Sequence, residues 1–328
     1  MSTASSQLVI GVDVGGTKIL GALVEVTGVG ALPDILEREQ VASSGEGGDV
    51  VDRIESVVAR LVDTAVIEGR RPEAIGVGLA GFVDRRGVVR AAPNCPGLVG
   101  VDVAGRLRER TGLPAIVDND ANCVAVMAHH SMAPDCDELV AITLGTGIGG
   151  GIVLGGRLVR GATGFAGEPG HMVIDPAGPT CPCGQVGCWE RFASGHALGR
   201  LARVAVAEGR APEVLAAAGS ADAVRGDHVT DLLASGAPGA LEIFAEWVGH
   251  VATGLANLIL LLDPGVIVIG GGISAHGEIL GDLLVRSLEE RFPAAVEGRD
   301  VQIVMTPGGP EAGAVGAALL GAYQVRPG

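Results

Sequence analysis

Short β-branched runs alternate with stretches of helical apolar spacing along this chain, which predicts an α/β architecture. Leu8–Val12 reads as a strand, followed by the turn Gly15-Gly16-Thr17 and a second strand near Ile19–Val26. Within Asp49–Ile67 the apolar positions Val50, Ile54, Val57, Val58, Leu61 and Val62 recur at helical spacing. Strands are expected at Ala74–Leu79 and Ala115–Asp118, with a helix from about Val101 to Arg110 between them. Asn119–Asn122 opens a helix reaching about His130, and a new strand series starts at Glu138–Leu144 and resumes after Gly145–Gly151. A long helix around Leu241–Leu262, strands at Val266–Ile269 and Val301–Met305, and a final helix from Ala312 complete the pattern. A strand running into a Gly/Thr turn occurs twice, at Asp13–Lys18 and Leu144–Gly151, as a duplicated two-lobe fold would produce.

Composition narrows this picture. With 48% hydrophobic and 19% charged residues over 328 positions, the chain is not mainly disordered and can bury two cores. Its 54 glycines have no collagen-like period and read as tight turns and close backbone approaches. A net charge of −15 argues against a nucleic-acid-binding surface. The apolar stretch Leu255–Gly270 is interrupted by Asn257, Asp263 and Pro264, and Met1–Gln7 is polar without a basic side chain. Neither reads as a membrane span or a signal peptide, so a cytoplasmic protein is expected. Of six cysteines, Cys95, Cys123 and Cys136 are scattered and read as buried thiols, whereas Cys181, Cys183 and Cys188 fall within eight residues. In a reducing compartment such a cluster points to a metal site.

Five segments carry candidate chemistry. In Asp13–Lys18, Gly15 and Gly16 let backbone N–H groups approach a phosphate, Thr17 adds a hydroxyl, and Asp13 can hold Mg2+ through water; a plain β-hairpin turn is the alternative. Lys18 is the only lysine, against 22 arginines, so the turn carries a compact ammonium where the chain otherwise uses guanidinium. Gly145, Thr146, Gly147 and Gly149 form a second phosphate-type loop that matches neither the dinucleotide fingerprint nor the P-loop. Gly270–Gly272 ends a strand, where either a nucleotide or a simple turn fits. Asn119 and Asp120 stand where a strand meets a helix, as an N-cap or as a carboxylate able to take a proton from a substrate hydroxyl. The fifth segment, Glu168-Pro-Gly-His171 followed by Cys181-Pro-Cys183-Gly-Gln-Val-Gly-Cys188-Trp-Glu190, offers one His and three Cys, the donor types of a closed structural Zn2+ site. The metal would fix Glu168 and Glu190, and His171 would keep one ring nitrogen free for a ligand.

Taken in order, Asp13-x-Gly-Gly-Thr-Lys18, Pro93-Asn94, Asn119-Asp120-Ala-Asn122, Leu144–Gly151, Glu168-x-Gly-His171 and Cys181-x-Cys-Gly-x-x-Gly-Cys188-x-Glu190 resemble the ROK family of repressors and sugar kinases, over nearly the whole chain. The resemblance implies a two-lobed, actin-like (ribonuclease H-like) α/β ATPase fold with an interlobe cleft. Residues 1–120, joined by the final helix 312–328, would form one lobe, and residues 121–311, with the zinc-binding loop 168–190, the other. Carried over by motif, Asp120 would be the general base. Gly81, Asn94, Asn119, Asp120, Glu168, His171 and Glu190 would bind sugar. His171, Cys181, Cys183 and Cys188 would bind Zn2+. Asp13, Gly15, Gly16, Thr17, Lys18, Gly145, Thr146, Gly147, Gly149, Gly271 and Gly272 would bind ATP with Mg2+. The implied activity is that of a glucokinase in carbohydrate metabolism, transferring phosphate to the 6-hydroxyl of a hexose, with glucose the first choice and a homodimer or homotetramer expected.

The chain departs from the family pattern at Ala128, where a Glu is usual, and at Leu98 and Val99, where a Trp is common. N-acetylhexosamine and fructose therefore stay open as substrates, and polyphosphate as donor. A sugar-responsive repressor is the rival from the same family; it would need a DNA-binding domain ahead of the Asp13 strand, where this chain has few residues. A non-catalytic sugar-binding regulator is the remaining alternative, and an ATP-consumption assay with hexoses separates it.

Overall fold

The computed structural model describes residues 6–43, 49–306 and 309–325; residues 1–5, part of the segment that bears on a leader peptide, lie outside that set. In chain order the elements are β1 (Gln7–Val14), β2 (Lys18–Val26), β3 (Asp34–Ala42), α1 (Val50–Ile67), β4 (Ala74–Leu79), β5 (Phe82–Val83) and β6 (Val89–Ala91). Next come α2 (Val103–Thr111), β7 (Ala115–Asn119), α3 (Asp120–Ser131), β8 (Leu139–Leu144), β9 (Ile148–Leu154) and β10 (Arg157–Leu158). After a long loop follow α4 (Glu190–Ala193), α5 (Gly195–Ala207), α6 (Pro212–Ala218), α7 (Gly226–Leu233) and α8 (Pro238–Leu262). The chain closes with β11 (Val266–Gly270), α9 (Gly277–Arg291), α10 (Pro293–Val296), β12 (Gln302–Met305) and α11 (Ala312–Val325).

Two units partition these elements: residues 1–141, 151–167 and 308–328 form unit 1, and residues 142–150 and 168–307 form unit 2. Unit 1 is built on a sheet of order β3-β2-β1-β4-β7, antiparallel through β3, β2 and β1 and parallel through β1, β4 and β7. The parallel register aligns Asp13 with Gly78 and Gly78 with Asp118, and in the next row Val14 with Leu79 and Leu79 with Asn119. The carboxyl ends of three parallel strands thus bring the polar residues of two distant motifs into one row, the usual place for a ligand site in an open α/β sheet. One face of the sheet packs on α1 and α2 through Ile10, Val12, Ile54, Val58, Leu61, Leu107 and their neighbours. Leu98, where the family pattern has a Trp, is part of this core.

Helix α11, rich in Ala and Gly, contacts β1, β4 and α3 in unit 1. The approach is too close for side chains at two points: a Cβ on Gly76 would overlap the Ala317 carbonyl oxygen, and one on Gly316 that of Cys123. Only glycine permits such backbone contact, which explains a helix that is apolar all round.

The second sheet has order β10-β9-β8-β11-β12, and β8 and β9 each begin in one unit and end in the other. Helices α4 to α10 belong to unit 2. Helix α8 is, by length and composition, apolar enough to cross a membrane, but 56% of its most apolar window is buried, against α4, α5, α7 and α9 among others. Such burial is what a core helix of a folded unit requires. Two regions were not legible from periodicity: strand β3, whose exposed Glu37, Arg38 and Gln40 mask any apolar alternation, and the helices α5, α6, α7 and α9.

Candidate active site and metal centre

In unit 1 the site grows from the end of β7. Asn119 caps α3, its side-chain oxygen accepting from Ala121 N at 2.8 Å and Asn122 N at 3.2 Å, while its Nδ2 donates to the Gly81 carbonyl at 3.2 Å. A Cβ on Gly81 would overlap the Ala91 carbonyl oxygen, so this contact needs glycine there. Asp120 is the first residue of the helix and is also bonded by the Ala121 N–H, at 2.9 Å. The capping reading and the carboxylate reading therefore fall on two adjacent residues: Asn119 does the capping, and Asp120 is left with its carboxylate available.

Burial raises the pKa of Asp120 above the usual carboxylate range, against the opposing backbone N–H groups. Asp13 is raised to about 7, first by burial and then by the charge of Asp120, with Lys18 partly opposing. Two half-buried carboxyls with interacting charges titrate as a pair, and a cation placed beside them would hold both ionised. The turn after Asp13 is a hairpin between β1 and β2, closed by Gly15 N to Lys18 O at 2.9 Å. It is braced by Ser43, whose Oγ donates to the Gly15 carbonyl at 2.5 Å. Asn94 lies against Gly16, where an added Cβ would come within 2.9 Å of the Asn94 Cβ.

In unit 2 the second glycine turn is shorter than its sequence, since β9 resumes at Ile148 and Gly149 lies inside the strand. Gly145 N bonds Gly147 O at 3.1 Å, and Gly195 N, at the start of α5, bonds Gly145 O at 2.8 Å. Gly271 has φ +90°, and a Cβ there would overlap the Leu144 carbonyl oxygen, so the turn after β11 presses on the turn after β8. Beside these turns is a pocket of about 570 Å3 whose lining includes Gly145, Thr146, Gly272, Ile273, Gly195 and Gly226. Helices α5 and α7 supply much of its wall, and they pack closely because Gly199 and Gly226 carry no side chain: a Cβ on Gly199 would lie 3.1 Å from Gly226 N. This half of the pocket was invisible to motif reading, its only sequence trace being the spaced glycines Gly195, Gly199 and Gly226.

The loop between β10 and α4 gathers the His and Cys residues. One ligand atom each from His171, Cys181, Cys183 and Cys188 lies within 4.8 Å of all the others. His171 Nδ1 is 3.8 Å from Cys181 Sγ, and Cys183 Sγ is 3.6 Å from Cys188 Sγ. A tetrahedron with Zn–S of about 2.3 Å has edges of about 3.8 Å, so the donor set and its spacing fit Zn2+. Burial pushes the Cys181 thiol up to about 12, and a bound cation would reverse that. Two glycines make the loop possible. Gly184 has φ +95° and Gly187 φ +78°, and a Cβ on Gly187 would overlap the Asp175 carbonyl oxygen. Glu190 Oε1 sits 3.2 Å from Cys181 Sγ, and its Oε2 lies beside Gly147, 2.9 Å from where a Cβ would stand. The metal cluster, Glu190 and the glycine turn are therefore contiguous. Trp189, fully buried, ties the loop to α8 by donating from Nε1 to the His250 carbonyl at 2.9 Å.

The structure thus brings together Asp13, Gly15, Gly16, Lys18, Asn94, Gly81, Asn119 and Asp120 in unit 1. In unit 2 it gathers Gly145, Gly147, His171, the three cysteines and Glu190, with Gly271 and Gly272 on the same pocket side as Thr146. An ion pair was missed by sequence reasoning: Arg160 Nε donates to Asp118 Oδ2 at 2.7 Å, while Asp118 Oδ1 accepts from Asn119 N and Asn122 Nδ2, each at 2.8 Å. Asp118 was read only as the end of the strand before the Asn119 motif, and nothing local marks Arg160 as its partner.

The ROK family model matches residues 9–323. A glucokinase of Streptomyces coelicolor is 37% identical over 326 residues, covering 95% of this chain and 97% of that protein. A glucokinase of Thermotoga maritima is 35% identical over 314 residues, covering 95% and 96%. Among solved structures, a ROK family glucokinase from Streptomyces griseus in complex with glucose and AMPPNP superposes with a TM-score of 0.80 at 37% identity, covering 96% of this chain and 99% of that one. The actin-like α/β fold, the clustered His and Cys residues and similarity along nearly the whole length converge: this chain belongs to the ROK family.

Proposed function

We propose that the protein is an ATP-dependent glucokinase that transfers the γ-phosphoryl group to the 6-hydroxyl of glucose, with Asp120 as general base. The observation that carries this reading is Asp120 itself, a half-buried carboxylate on the first turn of α3 that is not consumed as the cap. A carboxylate raised above its ordinary pKa is a stronger base, suited to accept the hydroxyl proton as that oxygen attacks phosphorus. The similarity to glucokinases along nearly the whole chain supports the same reading.

Phosphoryl transfer depends on positioning and on stabilising charge. Unit 1 supplies the base, Asn119 and Asn94 for sugar hydroxyls, and the Asp13–Lys18 turn for phosphate. Unit 2 supplies the Gly145–Gly147 turn, the pocket of about 570 Å3 for the nucleoside, and Glu168, His171 and Glu190 for the sugar. With Nδ1 turned to the cysteines, His171 keeps Nε2–H as a donor to a sugar hydroxyl, the tautomer set by the metal. His171, Cys181, Cys183 and Cys188 would hold Zn2+, which would order this loop. Asp13 would hold Mg2+, which would supply positive charge against the phosphates and the carboxyls. The enzyme works in the cytoplasm, where ATP is available, as a homodimer or homotetramer.

A coupled assay with glucose, N-acetylglucosamine, N-acetylmannosamine and fructose, each with ATP or polyphosphate, tests the proposal. The expected result is the highest kcat/KM for glucose with ATP. ATP consumption with none of the hexoses would sink the kinase reading, and preference for an N-acetylhexosamine would move the substrate.

A further inference from the structure

A cavity of about 690 Å3 in unit 1 has no part in the chemistry above. Its polar lining is Arg85, Arg157, Arg160, His129, Tyr323 and Gln324, set on aliphatic side chains such as Ile116 and Leu320. In a chain of net charge −15, no Asp or Glu is among the lining residues. Asp137 lies at one edge, beside Gly156, and Asp118 is engaged with Arg160.

The cationic groups are only partly committed. Arg85 Nε donates to the Gly161 carbonyl at 2.6 Å and Arg160 Nε to Asp118, whereas the Arg157 side chain makes no hydrogen bond or ion pair among the described residues. His129 Nε2 is buried and has no hydrogen-bond partner among the described residues.

Arginine forks match phosphate and carboxylate oxygens. Three guanidinium groups around one cavity would leave charge unbalanced against a single carboxylate but suit a dianion. The volume exceeds that needed for inorganic phosphate and falls in the usual small-molecule range of about 300–1,000 Å3.

We propose that this cavity binds a small phosphomonoester of sugar-phosphate size, and that its occupancy is transmitted through Arg160 and Asp118 to the first turn of α3. The route is short. Asp118, the partner of Arg160, also accepts the Asn119 N–H and the Asn122 amide, and Asn119 caps the helix on which Asp120 is first. An anion sharing the Arg160 guanidinium weakens its hold on Asp118 and loosens that cap. The regulatory meaning rests on the kinase reading; the binding does not.

Isothermal titration of the full chain with ribose 5-phosphate and glycerol 3-phosphate tests the site, with succinate as a dicarboxylate control. Saturable binding of the esters is expected, weakened about tenfold or more in Arg157→Ala, an exposed position whose loss leaves the fold intact, and unchanged in Asp120→Asn. No saturable binding at millimolar ester, unaltered binding in Arg157→Ala, or equal affinity for succinate would each overturn the assignment. Amide hydrogen exchange at Ala121 and Asn122 reads the coupling without any activity measurement. Faster exchange on saturation with ribose 5-phosphate is expected, and unchanged exchange at saturation would refute the transmission. Absence of kinase activity alone would touch neither readout.

Discussion

Unit 1 sets its candidate carboxyls at the ends of parallel strands, whereas unit 2 sets Glu190 at the end of a loop that has almost no regular structure. Asp13 and Asp120 stand where β1 ends and α3 begins, and the register of β1, β4 and β7 settles where each stands. Between β10 and α4 the chain has only a 3-10 turn at Pro169–His171 and isolated bridges, Val173 with Cys188 and Thr180 with Val186. Glu190, the first residue of α4, is held by the His and Cys cluster and by the buried Trp189. Hydrogen-bond ladders over a packed core can fix a side chain without help. A loop of this kind loses much more conformational entropy on ordering, which a metal with four ligands would offset.

The comparison is sharpened most by Asp120→Asn. Asparagine keeps the shape but cannot accept the proton, so kcat is expected to fall by about two to four orders of magnitude, with thermal unfolding close to wild type. Turnover near wild type would remove Asp120 from the reaction.

Trp189→Ala tests whether packing shares the work of holding the loop. A fully buried Trp that also donates to His250 is expected to cost about 3–5 kcal/mol on truncation, measured by urea unfolding. A cost below about 1 kcal/mol would leave the metal alone in charge of the loop.

Asp13→Asn tests the carboxyl pair of unit 1. The Asp13 pKa rises from 3.8 to about 7 on folding, so between those values the native state binds its proton more tightly than the unfolded chain does. Stability therefore falls as pH rises from about 4 to about 7 and levels off above. In metal-free protein this group is expected to account for about 2–4 kcal/mol of that fall, and Asp13→Asn should flatten it. An equal slope in the variant would place the burial cost elsewhere.

Chelation gives the smallest effect on the reaction and the cleanest contrast between the units. Strong chelator should release about one Zn2+ per chain and raise the sugar KM by about ten- to a hundredfold, with hydrogen exchange in β1, β4 and β7 unchanged. Full activity in metal-free protein would break the link between cluster and substrate.

Much of the fold could be read from local pattern because its central strands are short and β-branched and its longest helices have clear apolar faces. Ala74–Leu79 was expected and found as β4, and α1 begins after the Asp49 cap. The clustered His and Cys residues were legible for a chemical reason, since metal donors are few in type and close in sequence. The missing pieces have physical causes too. Strand β3 presents charged residues to solvent, and α5 and α7 are marked only by glycines whose purpose is a contact with each other.

By itself the sequence determined the donor set, the strand-to-helix junction at Asn119 and Asp120, and the two glycine turns, because each depends on residue type over a few positions. Tertiary structure decided which of those residues share a row or a pocket. The alignment of Asp13 with Asp118 across Gly78, the pairing of Arg160 with Asp118, and the closing of a pocket by α5 and α7 all join residues far apart in the chain. Strand register and burial fix such meetings, and no local pattern encodes them.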